Sequence, residues 1–251
     1  MRHCDSRWLF FLPRPALSWR NLAQYGLLIG VGQFGLLFIA MHGHISPGLA
    51  SLVIQVQAFF TIFLSMRLRG ERVRPMQWLA FVVATVGLVV IATHADGSTT
   101  PFGLLLAVIA AACWVGGNMV SRHAGSVNMV AYVVWSSAFA APPLFLLSFM
   151  FEGWPAIAAG FANADTETWA AVLWQTIANL LFGYAVWDCL LSRYPAATVS
   201  PMALLVPVFG MAASALWLGE PMPAWKMIAM ALVMTGLALT VWRGKTPGSA
   251  R

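Results

Sequence analysis

Residues 203–242 read ALLVPVFGMAASALWLGEPMPAWKMIAMALVMTGLALTVW, and this stretch decides the fold class. Two apolar runs flank Gly219-Glu220 and a short turn that contains prolines. An α-helix needs about 20 apolar residues, at a rise of about 1.5 Å each, to cross about 30 Å of lipid hydrocarbon. The stretch therefore predicts two membrane-spanning helices joined by a tight turn.

The rest of the chain has the same composition. Of its 251 residues, 60% are hydrophobic and 9% are charged, against about 25% charged in typical soluble domains. The mean hydropathy of +0.79 excludes a disordered chain and argues against a soluble globule. Long uninterrupted apolar runs favour helices over the alternating strands of a membrane barrel. We therefore expect an all-α polytopic membrane protein with eight transmembrane helices, at roughly 22–41, 46–66, 75–93, 101–121, 129–151, 168–190, 198–218 and 224–242.

The basic residues lie in the segments between these runs. With eight spans, both termini fall on one side of the membrane, and thirteen of the fourteen Lys and Arg residues lie on that side, the exception being Lys226. This bias predicts that both termini are cytoplasmic. The same clustering accounts for the net charge of +6, so we expect no nucleic-acid partner. The longest connection, 152–167, is predicted to be a loop.

The chain contains an internal repeat. Residues 46–93 and 195–242 align at an offset of 149, with identities at eight of 48 positions, Glu71 and Glu220 among them. The offset spans five predicted helices, an odd number, so the two copies should sit upside down relative to each other. Such inverted repeats are typical of secondary transporters, in which the substrate binds near the membrane midplane. We expect an inverted-repeat helix bundle, with a duplicated scaffold that transports nothing as the alternative.

Several strings within these runs resemble a known family. The strings are GLASLVIQVQAFFTI (48–62), Gly70-Glu71-Arg72, CWVGGNMVSR (113–122), VVWSSA (133–138) and ALLVPVFGMAASALWLGE (203–220). They resemble the EamA-type transporters of the drug/metabolite transporter superfamily, and within it bacterial exporters of cysteine and O-acetylserine. The resemblance implies a bundle of ten helices built from two inverted five-helix repeats, with both ends inside the cell, that exports small metabolites in exchange for protons.

The resemblance also divides the chain. The string FFLPRPALSW (10–19) is similar to the end of the family's second helix and the following loop, so the first two helices of the family pattern are expected to be missing. The expected parts are a cytoplasmic N-terminal segment, the last three helices of the first repeat, the complete second repeat and a cytoplasmic tail. Their boundaries are 1–21, 22–93, 101–242 and 243–251.

Polar side chains within the apolar runs are candidate binding residues, because polar groups are costly in hydrocarbon and usually face the bundle interior. Gln55 and Gln57 are separated by about 200° around a helix, so only one faces a given cavity. We favour Gln57, together with Gln33 one helix earlier. Trp114 and Asn118 share a helix face, where an apolar wall and an amide suit a small zwitterion. Hydrogen bonding between helices and core packing are the structural alternatives.

The sixth run carries a second set of polar residues. Gln175 and Asn179 are four residues apart and share a face, and Tyr184 and Asp188 share another. We include Gln175, Asn179 and Tyr184 among the candidate substrate-binding residues. Asp188 is a candidate for proton coupling, with an interfacial ion pair to Arg193 as the simpler alternative.

Two further pairs are predicted to be structural. Glu71 and Glu220 each follow a glycine, and their carboxylates should satisfy free N–H groups at the N-terminus of the next helix. Gly26 and Gly30 form a GxxxG pair, which predicts close helix packing.

Taken together, these features predict a secondary transporter that exports small metabolites by alternating access. The resemblance points to amino acids or derivatives such as cysteine and O-acetylserine, in the inner membrane of a bacterium. We expect no enzyme activity, because the sequence holds no HExxH, no GxxxxGK[ST] and no Ser/His pair at membrane depth. No metal or cofactor is expected. The expected partners are a small-molecule substrate, the lipid bilayer and protons as coupling ion, and a homodimer is left open. The alternative is a truncated, inactive or assembly-only membrane fragment.

Overall fold

The structure, a computed structural model, describes residues 13–69, 75–94, 99–124, 127–183, 186, 190 and 205–241. Over these residues every regular element is a helix, as predicted. Five helices are long and apolar enough to cross a membrane and match the first five predicted spans to within a few residues. They are Trp19–Met41, Pro47–Leu64, Pro75–Thr93, Pro101–His123 and Met129–Phe151. The predicted spans 168–190 and 198–218 lie partly outside the described residues, so the total of eight stays a prediction.

Helix α1 changes its winding along its length. It is α-helical over Trp19–Tyr25, π-helical over Gly26–Gly35 and α-helical again over Leu36–Met41. The side chain of Ser18 caps its N-terminus by accepting a hydrogen bond from the Asn21 N–H at 3.2 Å. The π-helical sequence GLLIGVGQFG contains four glycines, whose missing Cβ atoms tolerate the wider turn.

Helix α2 is also interrupted, where the sequence pattern predicts one continuous run. It begins with Pro47–Val53, tightens into a 3₁₀-helix over Ile54–Val56 and continues over Gln57–Arg69. Ser46 caps its N-terminus, and the proline at the first helical position costs no hydrogen bond there. The tight turn alters the spacing of Gln55 and Gln57 around the helix.

The remaining helices follow in chain order, with one correction to the sequence analysis. The segment 152–167, predicted to be a loop, contains helix α6, because its alanine-rich sequence GWPAIAAGFA favours a helix. The bounds are α3 Pro75–Thr93, α4 Pro101–His123, α5 Met129–Phe151, α6 Gly153–Ala162, α7 Thr166–Leu173 with a π-helical continuation Trp174–Phe182, α8 Val206–Trp217 and α9 Ala224–Val241.

The chain divides into two compact units. The first comprises Met1–Gly35 and Gly116–Pro195, and the second comprises Leu36–Val115 and Ala196–Arg251. Each unit is held by its own helix contacts.

In the first unit, α1 packs closely against α5. A Cβ atom at Gly26 would collide with the backbone carbonyl of Ser136, and one at Gly30 would collide with the Cβ of Ala140. The predicted GxxxG packing is confirmed, since only glycine lets the two backbones approach this far.

The first unit also contains a polar contact that fixes α1 to two other helices. The Tyr132 hydroxyl donates to the side-chain oxygen of Asn21 at 2.7 Å, and the Asn21 amide donates to the Val120 carbonyl at 3.2 Å. Ile29 fills the space above Gly117 on α4, where no Cβ would fit. These contacts set the rotation of α1, and with it the direction of its polar side chains.

In the second unit, α3 and α9 pack with a reciprocal pattern. A Cβ at Gly87 would lie 3.2 Å from the Ala229 carbonyl, and one at Gly236 would lie 2.8 Å from the Ala80 carbonyl. Both pairs are related by the offset of 149, because Ala80 matches Ala229 and Gly87 matches Gly236. The N-terminal half of each helix therefore lies beside the C-terminal half of the other. The two copies of this helix run antiparallel, as an inverted repeat requires.

Candidate substrate-binding residues and a buried ion pair

Gln33 lies in the π-helical part of α1 and is buried, with 6% of its surface exposed. Its side-chain oxygen is fully covered and has no hydrogen-bond partner in the structure. A buried carbonyl group without a partner costs roughly 1–3 kcal/mol. Polar atoms left in this state in native proteins mark a strained, hydrated or ligand-binding position.

The two glutamines of α2 differ in exposure. Gln55 lies inside the 3₁₀ turn and is 4% exposed, whereas Gln57 starts the following α-helical segment and is half-buried. The backbone carbonyl of Gln57 accepts a hydrogen bond from the Thr61 hydroxyl at 2.8 Å. Gln57 therefore keeps the more accessible side chain of the two.

Trp114 and Asn118 are both half-buried on α4. Trp114 packs against a small apolar cluster of Ile54, Ala110 and Ala111. At least part of the indole therefore belongs to the core, as the core-packing alternative predicts. Asn118 follows Gly117, the residue that Ile29 of α1 covers.

Gln175 and Asn179 lie in the π-helical segment that follows α7, and both are exposed. The Asn179 amide donates to the Gln175 side-chain oxygen at 3.0 Å, so these two predicted residues are brought together. Tyr184 and Asp188 lie outside the described residues. Gln33 and the Gln175/Asn179 pair therefore share one property that the sequence did not reveal, which is a position in a π-helix, a conformation often found at functional sites.

A buried ion pair in the second unit was not predicted. The Lys226 ammonium donates to the Glu220 carboxylate at 2.8 Å, and the two side chains are 1% and 8% exposed. The same carboxylate accepts hydrogen bonds from the hydroxyls of Ser46 and Ser214 and from the Gly48 N–H at 3.2 Å. Four donors thus converge on one carboxylate; we call these five residues the Glu220 cluster.

The Glu220 cluster corrects the expected role of Glu220. Its carboxylate satisfies the N-terminus of a helix, as predicted, but that helix is α2, whose capping residue Ser46 lies 174 residues earlier, and not the next helix, α9. The turn before α9 brings Lys226 to the same carboxylate instead. Glu71, the counterpart in the first copy, lies outside the described residues. The available sequence signal was a lysine in the first turn of an apolar helix, where a buried charge is costly unless it pairs with an anion.

The Glu220 carboxylate is outside the membrane-spanning helices, between α8 and α9. Burial disfavours its charged form, but hydrogen bonds from Lys226, Ser214 and Ser46 and the charge of Lys226 outweigh burial and hold the pKa of Glu220 below its usual value. The side chain is therefore ionised at neutral pH, and the cluster carries one matched pair of charges.

The model of the EamA-like transporter family matches residues 7–93 and 101–242. The chain belongs to the EamA-like transporter family.

Two relatives of this EamA-like protein are similar over nearly its whole length. A protein of Salmonella typhimurium named "Probable amino-acid metabolite efflux pump" is 34% identical over 249 residues, which cover 97% of this chain and 83% of the relative. A protein of the same name in Escherichia coli K12 is 34% identical over 240 residues, covering 93% and 80%. A solved crystal structure at 22% identity superposes with a TM-score of 0.60 over 94% of this chain and 81% of that chain, which supports the fold.

Proposed function

We propose that this EamA-like protein is a secondary transporter that exports amino-acid metabolites across a bacterial inner membrane by alternating access. Membership of the family and the names of the two relatives support export of a small metabolite. Cysteine and O-acetylserine are the proposed substrates, with protons as the proposed coupling ion.

The observation that supports this mechanism best is the antiparallel packing of α3 and α9. Gly87 contacts Ala229 and Gly236 contacts Ala80, and adding 149 to the residue numbers of α3 gives their equivalents in α9. The two contacts are therefore equivalent, with the roles of the two helices swapped. When two copies of one structure have opposite orientations, the states open to the two sides of the membrane differ little in free energy. This near-equality is the physical basis of alternating access.

The proposed substrate-binding residues are the uncharged polar groups together with one aromatic wall. Amides suit a zwitterion because they offer both donors and acceptors and need no counter-ion when the substrate leaves. The proposed set is Gln33, Gln57, Trp114, Asn118, Gln175, Asn179 and Tyr184, with Asp188 for proton coupling.

Efflux of labelled O-acetylserine or cysteine from cells that express the protein tests the proposal, with cells carrying the empty vector as reference. Faster efflux, increased by an imposed pH gradient, is the expected result. If the protein is present in the membrane and efflux equals that of the empty vector, this substrate class is wrong, and an assembly-only role is favoured.

Variants locate the site in the same assay. Trp114→Ala and Asn118→Ala should each slow efflux at unchanged protein level. Trp217→Ala is the matched control, because Trp217 is 82% exposed on a helix surface. If Trp114→Ala and Trp217→Ala behave alike, Trp114 does not belong to the site.

A further inference from the structure

Gln33 has an oxygen atom that the protein itself leaves without a donor. Among the described residues, Gln33 Oε1 and Thr99 Oγ1 are the buried side-chain atoms without a hydrogen bond. Thr99 lies at the edge of α4, beside a cleft of about 290 Å³ whose other lining residues are mostly apolar. Gln33, by contrast, lies in the middle of a long apolar helix, where an amide is costly.

The residues that α1 contacts on either side of Gln33 offer no free hydrogen-bond donor. The neighbouring turns of α1 contact Ser136, Ala140 and Leu144 of α5 and Gly117 of α4. Backbone N–H groups inside these helices are already used in helical hydrogen bonds, and the Ser136 hydroxyl donates to the Tyr132 carbonyl at 2.7 Å. Alanine, leucine and glycine add no donor. These contacts leave Gln33 Oε1 free to accept a hydrogen bond from a molecule that enters the bundle, either water or a substrate.

The chemistry of the oxygen narrows the class of that molecule. An amide oxygen accepts hydrogen bonds and carries no charge, so it binds a cationic N–H donor without the desolvation cost of a carboxylate. An exporter also has to release its cargo, which a neutral acceptor permits more readily than an ion pair. The substrate group that combines a positive charge with N–H donors is the α-ammonium group of an amino acid.

We propose that Gln33 Oε1 accepts a hydrogen bond from the α-ammonium group of the exported amino acid. The inference rests on the proposed function, and it assigns the residue that selects amino acids over molecules of similar shape without an N–H donor. The oxygen is covered by protein in this conformation, so the substrate reaches it in a conformation in which the helices around α1 have moved. The π-helical turn of Gly26–Gly35 sets the direction of the side chain.

The test compares O-acetylserine with its N,N,N-trimethyl derivative, which keeps the charge but has no N–H. Uptake of labelled O-acetylserine into inside-out membrane vesicles measures transport in the export direction, and each unlabelled compound serves as competitor. In the wild-type protein, O-acetylserine should compete roughly ten- to a hundredfold better than the trimethyl derivative, since hydrogen bonds to charged groups are worth that much.

Variants separate the hydrogen bond from the size of the methyl groups. Gln33→Met removes the acceptor at similar side-chain volume. It should weaken competition by O-acetylserine about tenfold or more and leave competition by the trimethyl derivative unchanged. Gln33→Glu restores an acceptor and should restore the preference. Gln77→Met, at a half-buried glutamine of α3, is the matched control and should keep the wild-type preference.

Three outcomes decide the question. A preference that persists in Gln33→Met overturns the proposal, because the oxygen then binds water or nothing. If Gln33→Met does not reach the membrane, Gln33→Asn takes its place, because it keeps the amide but shortens the side chain by one methylene. An unchanged preference for O-acetylserine in Gln33→Asn overturns the proposal as well. If the wild-type vesicles transport no O-acetylserine, the proposed function fails, and that result is distinct from a lost preference in a working transporter.

Discussion

Replacement of Lys226 by methionine should destabilise the protein severely. Methionine fills a similar volume, so the substitution removes the positive charge and its hydrogen bond while keeping the packing. The Glu220 carboxylate would then stay buried, with 8% of its side chain exposed, without its cation.

The magnitude follows from the burial of both partners. Exposed ion pairs contribute about 0–1 kcal/mol, but loss of one partner of a buried pair costs about 3–5 kcal/mol. We expect the lower end, about 3 kcal/mol, because Ser46, Ser214 and the Gly48 N–H still donate to the carboxylate. At roughly 2–4 °C per kcal/mol for a chain of this size, the Tm should fall by about 6–12 °C.

Thermal unfolding in lipid nanodiscs, followed by tryptophan fluorescence, measures this change. The control is Gln77→Met, since Gln77 is the counterpart of Lys226 at the offset of 149 and carries no charge. The double variant Lys226→Met/Glu220→Gln should recover most of the loss, because no unpaired charge is left. If Lys226→Met is as stable as Gln77→Met, the Glu220 carboxylate does not depend on the lysine and the reasoning is wrong.

Two further predictions concern pH and helix packing. Because folding lowers the pKa of Glu220, the carboxylate stabilises the protein fully above the usual glutamate pKa, and this stabilisation is lost as the pH falls through the lower pKa of the folded protein. Glu220→Gln should therefore flatten the acid side of the plot of Tm against pH. A plot that runs parallel to that of the wild type would contradict this prediction. Gly236→Ala should destabilise the protein by about 1–3 kcal/mol, because the added Cβ lies 2.8 Å from the Ala80 carbonyl. Gly160→Ala should instead stabilise α6 by about 0.5–1 kcal/mol, because nothing lies within 4 Å of the added Cβ. Equal Tm shifts for the two variants would refute the packing argument.

Hydropathy and glycine spacing predicted much of the fold. The first five spans lie where the apolar runs placed them, and the GxxxG pair packs against α5 at backbone distance. These features are predictable because a membrane-spanning helix must satisfy its own backbone, so its existence depends on local composition alone. The helix 153–162 was missed because its length is short and its apolar residues do not reach a full span.

The candidate site was predictable only as a set of residue types. Counting amides in apolar runs identified Gln33, Gln175 and Asn179 as unusual. It did not show that both groups lie in π-helices, that Gln175 and Asn179 bond to each other or that the Gln33 oxygen has no partner. These properties depend on the winding and rotation of each helix, which small steric differences between neighbours decide.

The sequence by itself determined the helical membrane class and the positions of the first spans, because both depend on the composition of neighbouring residues. It also showed the repeat at an offset of 149, because a repeat is found by aligning the sequence with itself. Tertiary structure alone decided that Glu220 binds the N-terminus of a helix whose capping residue lies 174 residues earlier, and that Lys226 is buried against Glu220. A carboxylate close to several helix ends takes the nearest free donors, and which donors are nearest depends on how the helices pack.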